Sequence, residues 1–207
     1  MAVMRPPVDG GTVVVTGASG GIGRELAVQL AARAAVLVLV APTVERLEQV
    51  RDELTAHYPG LRVVVVSADL SDETDVERVL AAIGDEAGEV DVLVNNAGVG
   101  DATLFDRSSW VRTRQVLATN VLAVARLTAG LVPAMVGRGK GGVLNIGSGA
   151  GLTVAPASAA YTASKHFMDG FSEACVLTWP APGWSSPRCA RARWSPASTR
   201  RQGRSAG

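Results

Sequence analysis

Two hydrophobic rhythms take turns along this chain. Residues 12–16 (TVVVT) form a β-branched run that stops at Gly17 and leads into ASGGIG. From Ile22 to Arg33 the apolar positions Ile22, Leu26, Ala27 and Leu30 recur every three or four residues, the spacing of one helix face. Val36–Val40 is apolar at every position, as a strand covered on both sides of a sheet must be. Pro42-Thr43 then opens a second helix, with Val44, Leu47, Val50, Arg51 and Leu54 spaced three or four apart and Pro59-Gly60 closing it.

The alternation continues with a strand at Arg62–Val66 and a helix capped by Ser71-Asp72 that carries Val76, Val79, Leu80 and Ile83. A fourth strand at Asp91–Val94 precedes a long helical stretch from about Ser108 to Leu131. A fifth strand at Val143–Ile146 precedes a helix at Ala160–Val176. Five strands separated by helices predict an α/β fold with a parallel sheet covered on both faces. Right-handed crossovers make it a doubly wound, Rossmann-type domain. No internal repeat or linker interrupts residues 1–174.

Composition sharpens the picture at the far end. The chain has 207 residues, 20 basic and 19 acidic, for a net charge of +1, and 47% of its residues are hydrophobic, a folded-protein composition. Six of the basic residues and none of the acidic ones follow residue 174. Residues 1–174 therefore hold 14 bases and 19 acids, a balance of −5, against +6 for residues 175–207. Three of the four tryptophans and both cysteines, Cys175 and Cys189, also fall in that tail. The near-neutral total gives no reason to expect nucleic acid or an acidic membrane as partner. The cysteines lack CxxC spacing, so neither a disulfide framework nor a metal site is expected. Met1 to Asp9 has no apolar leader segment, and uninterrupted apolar runs such as Ala34–Ala41 fall far short of the roughly 18 residues of a membrane span. A cytoplasmic protein is the expectation.

The chemistry gathers at strand ends. TGASGGIG lies where the first strand gives way to the first helix. Gly17 can make the tight turn, and Gly21 and Gly23 let the backbone approach a pyrophosphate that the helix N-terminus would attract. Taken singly, Asp69 reads as a turn or cap residue, Asn95-Asn96 as turn chemistry, Asn120 as a helix residue bonded to its own backbone, and Ser148 as part of a Gly-rich loop. Tyr161 and Lys165, four apart on one helix, share a face. A free tyrosine titrates near ~10, and a neighbouring ammonium favours the phenolate, which makes the phenol a usable acid or base.

In this order the motifs resemble those of the short-chain dehydrogenase/reductase family. Thr16–Gly23 fits its TGxxxGxG nucleotide loop, Asn95-Asn96-Ala97-Gly98 its NNAG motif, and Tyr161-Thr-Ala-Ser-Lys165 its YxxxK motif, thirteen residues after Ser148. The resemblance covers about residues 10–174. It implies an NAD(P)-dependent oxidoreductase that interconverts a secondary alcohol and a ketone by hydride transfer. It further implies a catalytic tetrad of Asn120, Ser148, Tyr161 and Lys165. Ser148 would hold the substrate oxygen, Tyr161 would exchange the proton, Lys165 would also bind the nicotinamide ribose, and Asn120 would anchor a relay water. Cofactor contacts would come from Gly17, Ser19, Gly21, Ile22, Gly23, Asp69, Leu70, Asn95, Ala97, Gly98, Tyr161 and Lys165. Asp69 would meet the adenine. Val40 is followed by Ala41-Pro42-Thr43, with no acid to bind a ribose 2′-OH, so the cofactor leans from NAD toward NADP. By the same analogy a homo-oligomer would form through the helices at Ser108–Leu131 and Ala160–Val176.

After Glu173 the family pattern would continue into a sixth strand, a Pro-Gly segment at the nicotinamide carboxamide and a substrate-covering loop. CVLTWPAPGWSSPRCARARWSPASTRRQGRSAG shows neither helical nor strand period, so residues 175–207 read as an irregular tail and the fold as truncated on its C-terminal side. A disordered basic tail and a basic interaction tail both fit, and a shifted reading frame fits better. With GC-rich codons, Cys175–Pro180 read one base earlier gives Leu-Arg-Ala-Asp-Leu-Ala. Gly183–Trp194 can then give Gly-Val-Val-Val-Thr-Gln-Val-Cys-Pro-Gly-Pro-Val, which is a helix end, a buried strand and the missing Pro-Gly. On that reading the chain as written binds cofactor weakly and turns over little, and the rival to an enzyme is a non-catalytic nucleotide-binding or truncated, inactive product.

Overall fold

The computed structural model describes residues 8–154, 156–178 and 189–194. Its strands are β1 (Thr12–Thr16), β2 (Val36–Ala41), β3 (Arg62–Ser67), β4 (Val92–Asn95), β5 (Gly142–Ser148) and β6 (Cys189–Trp194). They form one parallel sheet in the order β3-β2-β1-β4-β5-β6. The order reverses between β1 and β4, and the crevice beyond their carboxyl ends is where such a sheet holds a ligand. The helices are α1 (Gly21–Ala31), α2 (Val44–His57), α3 (Glu73–Ala82), α4 (Trp110–Leu117), α5 (Ala123–Arg138) and α6 (Ala159–Thr178).

The unbroken apolar runs become strands because both sheet faces are covered. Val13, Val15, Leu37 and Leu39 pack against Ala27 and Ala31 of α1 and Leu47, Val50 and Leu54 of α2. Val14, Val38 and Val40, one step along each strand, face the other way onto Val76 and Val79 of α3 and Leu127 of α5. Each such Val or Leu contributes about 1.5–3 kcal/mol by leaving water, so a slip of one residue in register would exchange the two cores.

Helices α4 and α5 are one continuous rod, Trp110–Arg138, interrupted by a π-helical turn at Ala118–Leu122. There the Ala123 N–H reaches back five residues to the Ala118 carbonyl. The rod outruns its predicted end at Leu131, passing through Pro133 and stopping at Gly139, whose φ of 64° is left-handed. By length and composition it could cross a membrane, but its Val124, Leu127, Thr128 and Met135 are buried in the domain.

The tail contributes regular structure that its sequence pattern does not announce. Helix α6 runs to Thr178, and β6 lies in parallel register along β5 from Val143 to Ser148. A sheet edge offers a row of backbone N–H and C=O groups that an extended segment can satisfy without any particular side-chain pattern. Of the 183–194 segment in which a shifted frame would place the strand and Pro-Gly, residues 183–188 lie outside the described residues.

A buried polar ladder ties the second half of the sheet to its helices. Asn95 Nδ2 donates to Asn145 Oδ1 at 2.8 Å and to Thr128 Oγ1 at 3.2 Å, and Asn145 Nδ2 donates to Ser172 Oγ at 2.9 Å. This links β4, β5, α5 and α6 beneath the crevice.

Candidate active site

The glycine loop is shaped by how closely it is packed. Gly17 and Gly21 have φ of 67° and 54°, the left-handed region that favours glycine. A Cβ on Gly23 would lie 2.2 Å from the Gly17 carbonyl oxygen and 2.4 Å from Asn96 Nδ2, so α1 can approach the loop only with glycine there. Helix α1 starts at Gly21 with no side-chain cap bond and no acid in its first turn. Its first N–H groups are thus left for a ligand, and a phosphate anion fits both their hydrogen-bonding and the helix dipole.

The end of β4 is fastened to this loop. Thr16 Oγ1 donates to the Val94 carbonyl and accepts from the backbone N–H groups of Asn96 and Ala97, each at 3.0 Å. Asn96 Nδ2 donates to the carbonyls of Thr16 and Gly17 at 2.9 and 3.3 Å. Sequence reasoning gave Asn96 no role of its own. Its partners lie 80 residues earlier and become visible only when β1 and β4 pair. Asn95, by contrast, is 1% exposed, and its side chain serves the core ladder, so any part it plays in a nucleotide site comes through the backbone leading to Asn96.

At the exit of β3, Asp69 is exposed and accepts from the Ser71 N–H through Oδ1, while Leu70 beside it is buried. The Asp69 N–H donates to Asp75 Oδ2. Arg78, 2.6 Å from Asp75, and this N–H together hold the Asp75 carboxyl below the usual carboxylate range. Asp72 caps α3 by accepting from the Thr74 N–H.

A cleft of about 160 Å³ lies where these segments meet α6. Ile22 enters it from the glycine loop, Asn96 and Gly98 from the end of β4, Ser148 from the end of β5, and Tyr161 and Lys165 from α6. Ser19 is half-buried in the glycine loop. Lys165 is 5% exposed. Its Nζ donates to the Ile146 carbonyl at 3.1 Å and lies 5.8 Å from the centre of the Tyr161 ring. Burial pulls the Lys165 ammonium below its ordinary value, and the negative charge of Asp169 one turn on opposes that shift. Ser148 Oγ accepts from the Ala150 N–H at 3.3 Å and so caps the turn at Gly149–Gly151.

Asn120 stands behind the cleft, not in its lining. It is fully buried in the π turn. Its Oδ1 accepts from the Val99 N–H at 2.8 Å, and its Nδ2 donates to the Val99 carbonyl and to Ser164 Oγ, each at 3.0 Å. The bonds run to a neighbouring loop and helix, so the simple reading of a residue bonded to its own helix does not hold. Gly98 closes the circle: a Cβ there would sit 3.5 Å from Asn120 Oδ1 and 3.6 Å from Lys165 Nζ.

The family model for short chain dehydrogenase matches residues 11–181. This chain belongs to the short-chain dehydrogenase family. It is 39% identical over 165 residues to a very-long-chain 3-oxoacyl-CoA reductase of Mycosarcoma maydis, covering 78% of this chain and 47% of that protein. A metagenomic short-chain oxidoreductase solved in complex with NADP aligns with a TM-score of 0.76 at 34% identity, over 82% of this chain and 76% of that one. L-sorbose reductase from Gluconobacter frateurii, solved with NADPH and L-sorbose, aligns with a TM-score of 0.78 at 30% identity, over 84% and 66%. Against the curated relatives the short-chain dehydrogenase described here spans between 14% and 65% of their length, commonly about half.

Proposed function

We propose that this short-chain dehydrogenase binds NADP(H) and interconverts a ketone and a secondary alcohol. The observation that carries the reading is that Ser148, Tyr161 and Lys165 line one cleft with Ile22 of the glycine loop. The cradle fits a dinucleotide: Gly17 and Gly23 leave no room for a Cβ, and the N-terminus of α1 is uncapped. The end of β2 at Ala41 and the following Pro42-Thr43 carry no acid to repel a 2′-phosphate. Related structures that carry NADP or NADPH support the same preference.

When bound, the dinucleotide supplies or receives the hydride. The chain's own residues handle the oxygen. Ser148 donates a hydrogen bond to the carbonyl oxygen and orients it, and Tyr161 delivers its phenolic proton to that oxygen as the alcohol forms. The Lys165 ammonium, fixed by the Ile146 carbonyl, supplies positive charge beside the phenol where negative charge develops. Asn120 fixes the Val99 loop behind them.

Fluorescence titration with NADPH and NADH, paired with a turnover assay on aromatic and aliphatic ketones, tests this. Tighter binding of NADPH with ketone-dependent oxidation supports it. Binding of nucleotide with no turnover would favour a non-catalytic nucleotide-binding protein instead.

A further inference from the structure

Ser164 lies between the two catalytic residues of α6, and the reaction above gives it no part. It is 1% exposed, and its hydroxyl accepts from Asn120 Nδ2 at 3.0 Å while donating to the Tyr161 carbonyl at 2.7 Å. A serine within a helix commonly bonds back to its own backbone, to little effect. Here the same oxygen also receives a bond from another helix, which turns a local contact into a bridge. Asn120 is committed in turn to both backbone groups of Val99. One run of hydrogen bonds therefore passes from Val99, after β4, through the π turn to the first turn of α6. Asn120 and Ser164 are buried, so the bond that joins them is shielded from competing water, while Val99 and Tyr161 at the two ends are half-buried.

We propose that Ser164 is a positioning residue for the reaction: it transmits the placement of Asn120 and the Val99 loop to the backbone of Tyr161, and so fixes where the phenol stands over the cleft. The inference rests on Tyr161 being the proton donor. The π turn gives it a structural reason, because the widened turn is what carries Asn120, and Asn120 in turn reaches both Val99 and Ser164.

A double-variant cycle on the full chain tests it, using Ser164→Ala, Asn120→Ala and the pair. Ser164→Ala should lower kcat about tenfold while NADPH affinity stays within about twofold, and the double variant should be no slower than Asn120→Ala alone. Hydrogen exchange at the Val99 N–H, which reads the same linkage without turnover, should accelerate in both single variants and no further in the double. Losses that multiply, or a Ser164→Ala protein with unchanged kcat and unchanged Val99 exchange, would overturn the proposal. Non-additive exchange in a chain that shows no ketone reduction would uphold the Ser164 linkage and count against the oxidoreductase reading instead.

Discussion

Lys165 Nζ donates to the Ile146 carbonyl at 3.1 Å and is thereby held 5.8 Å from the centre of the Tyr161 ring. A strand of the sheet thus sets the place of a charge that the helix alone would leave free to swing. The cost is burial of an ammonium at 5% exposure.

That cost has a pH signature. Burial lowers the Lys165 pKa from 10.5 in the folded chain, so between the lowered value and 10.5 the unfolded chain binds more protons. Stability then rises with pH in that window. Urea unfolding at steps from pH 7 to 10 should show the wild type gaining on Lys165→Met as pH rises. A difference that stays flat or shrinks would mean the ammonium is not buried as described.

Gly23→Ala places a methyl group 2.2 Å from the Gly17 carbonyl oxygen. Helix α1 must back away from the loop, with about 1–3 kcal/mol of overpacking strain. Thermal melts should show the loss, and NADPH titration should show binding weakened at least tenfold, since the displaced helix end is the proposed phosphate site. Gly20→Ala, where a Cβ meets nothing within 4 Å, is the control that should lose far less.

Asn145→Ala removes the middle of the buried ladder and leaves Asn95 and Ser172 each short of a partner. With about 1–3 kcal/mol for each buried polar group stranded, unfolding free energy should drop by roughly 3 kcal/mol. A change below 0.5 kcal/mol in denaturant melts, on the order of a surface substitution, would show that the ladder adds nothing.

Much of this was readable in the chain. The strands starting at Thr12 and Val36 are found where they are because their apolar runs are buried on both faces. The run starting at Arg62 buries Val64 and Val66 on one face and half-buries Val63 and Val65 on the other. That pattern survives without tertiary knowledge. Tyr161 and Lys165 were paired by helical spacing alone. Asn96 and Ser164 were not, because their partners come from segments brought together by the sheet and by the α4–α5 rod. The π turn adds a residue to one turn without breaking the apolar pattern, so periodicity passes over it. The rod runs past Leu131 because Pro133 does not end it and Gly139 does. Strand β6 escaped notice because edge pairing asks only for extended backbone.

The tail carries its own prediction. If residues from about 175 onward come from a shifted frame, resequencing the coding DNA will reveal a single-base change that restores an open frame encoding a valine-rich strand and a Pro-Gly segment. A verified sequence with no such frame would sink the idea and make the Arg- and Trp-rich tail a native part of the chain.

The central claim is that Tyr161, set by Lys165 in an assembled cleft, carries the proton step. The most direct measurement is ketone-dependent oxidation of NADPH, followed at about 340 nm, by the 207-residue chain and by Tyr161→Phe under saturating cofactor. Whatever the wild-type rate, Tyr161→Phe should lower it at least about 100-fold, the usual scale for a lost general acid, while NADPH affinity stays within about threefold. Equal rates in the two proteins would contradict the account.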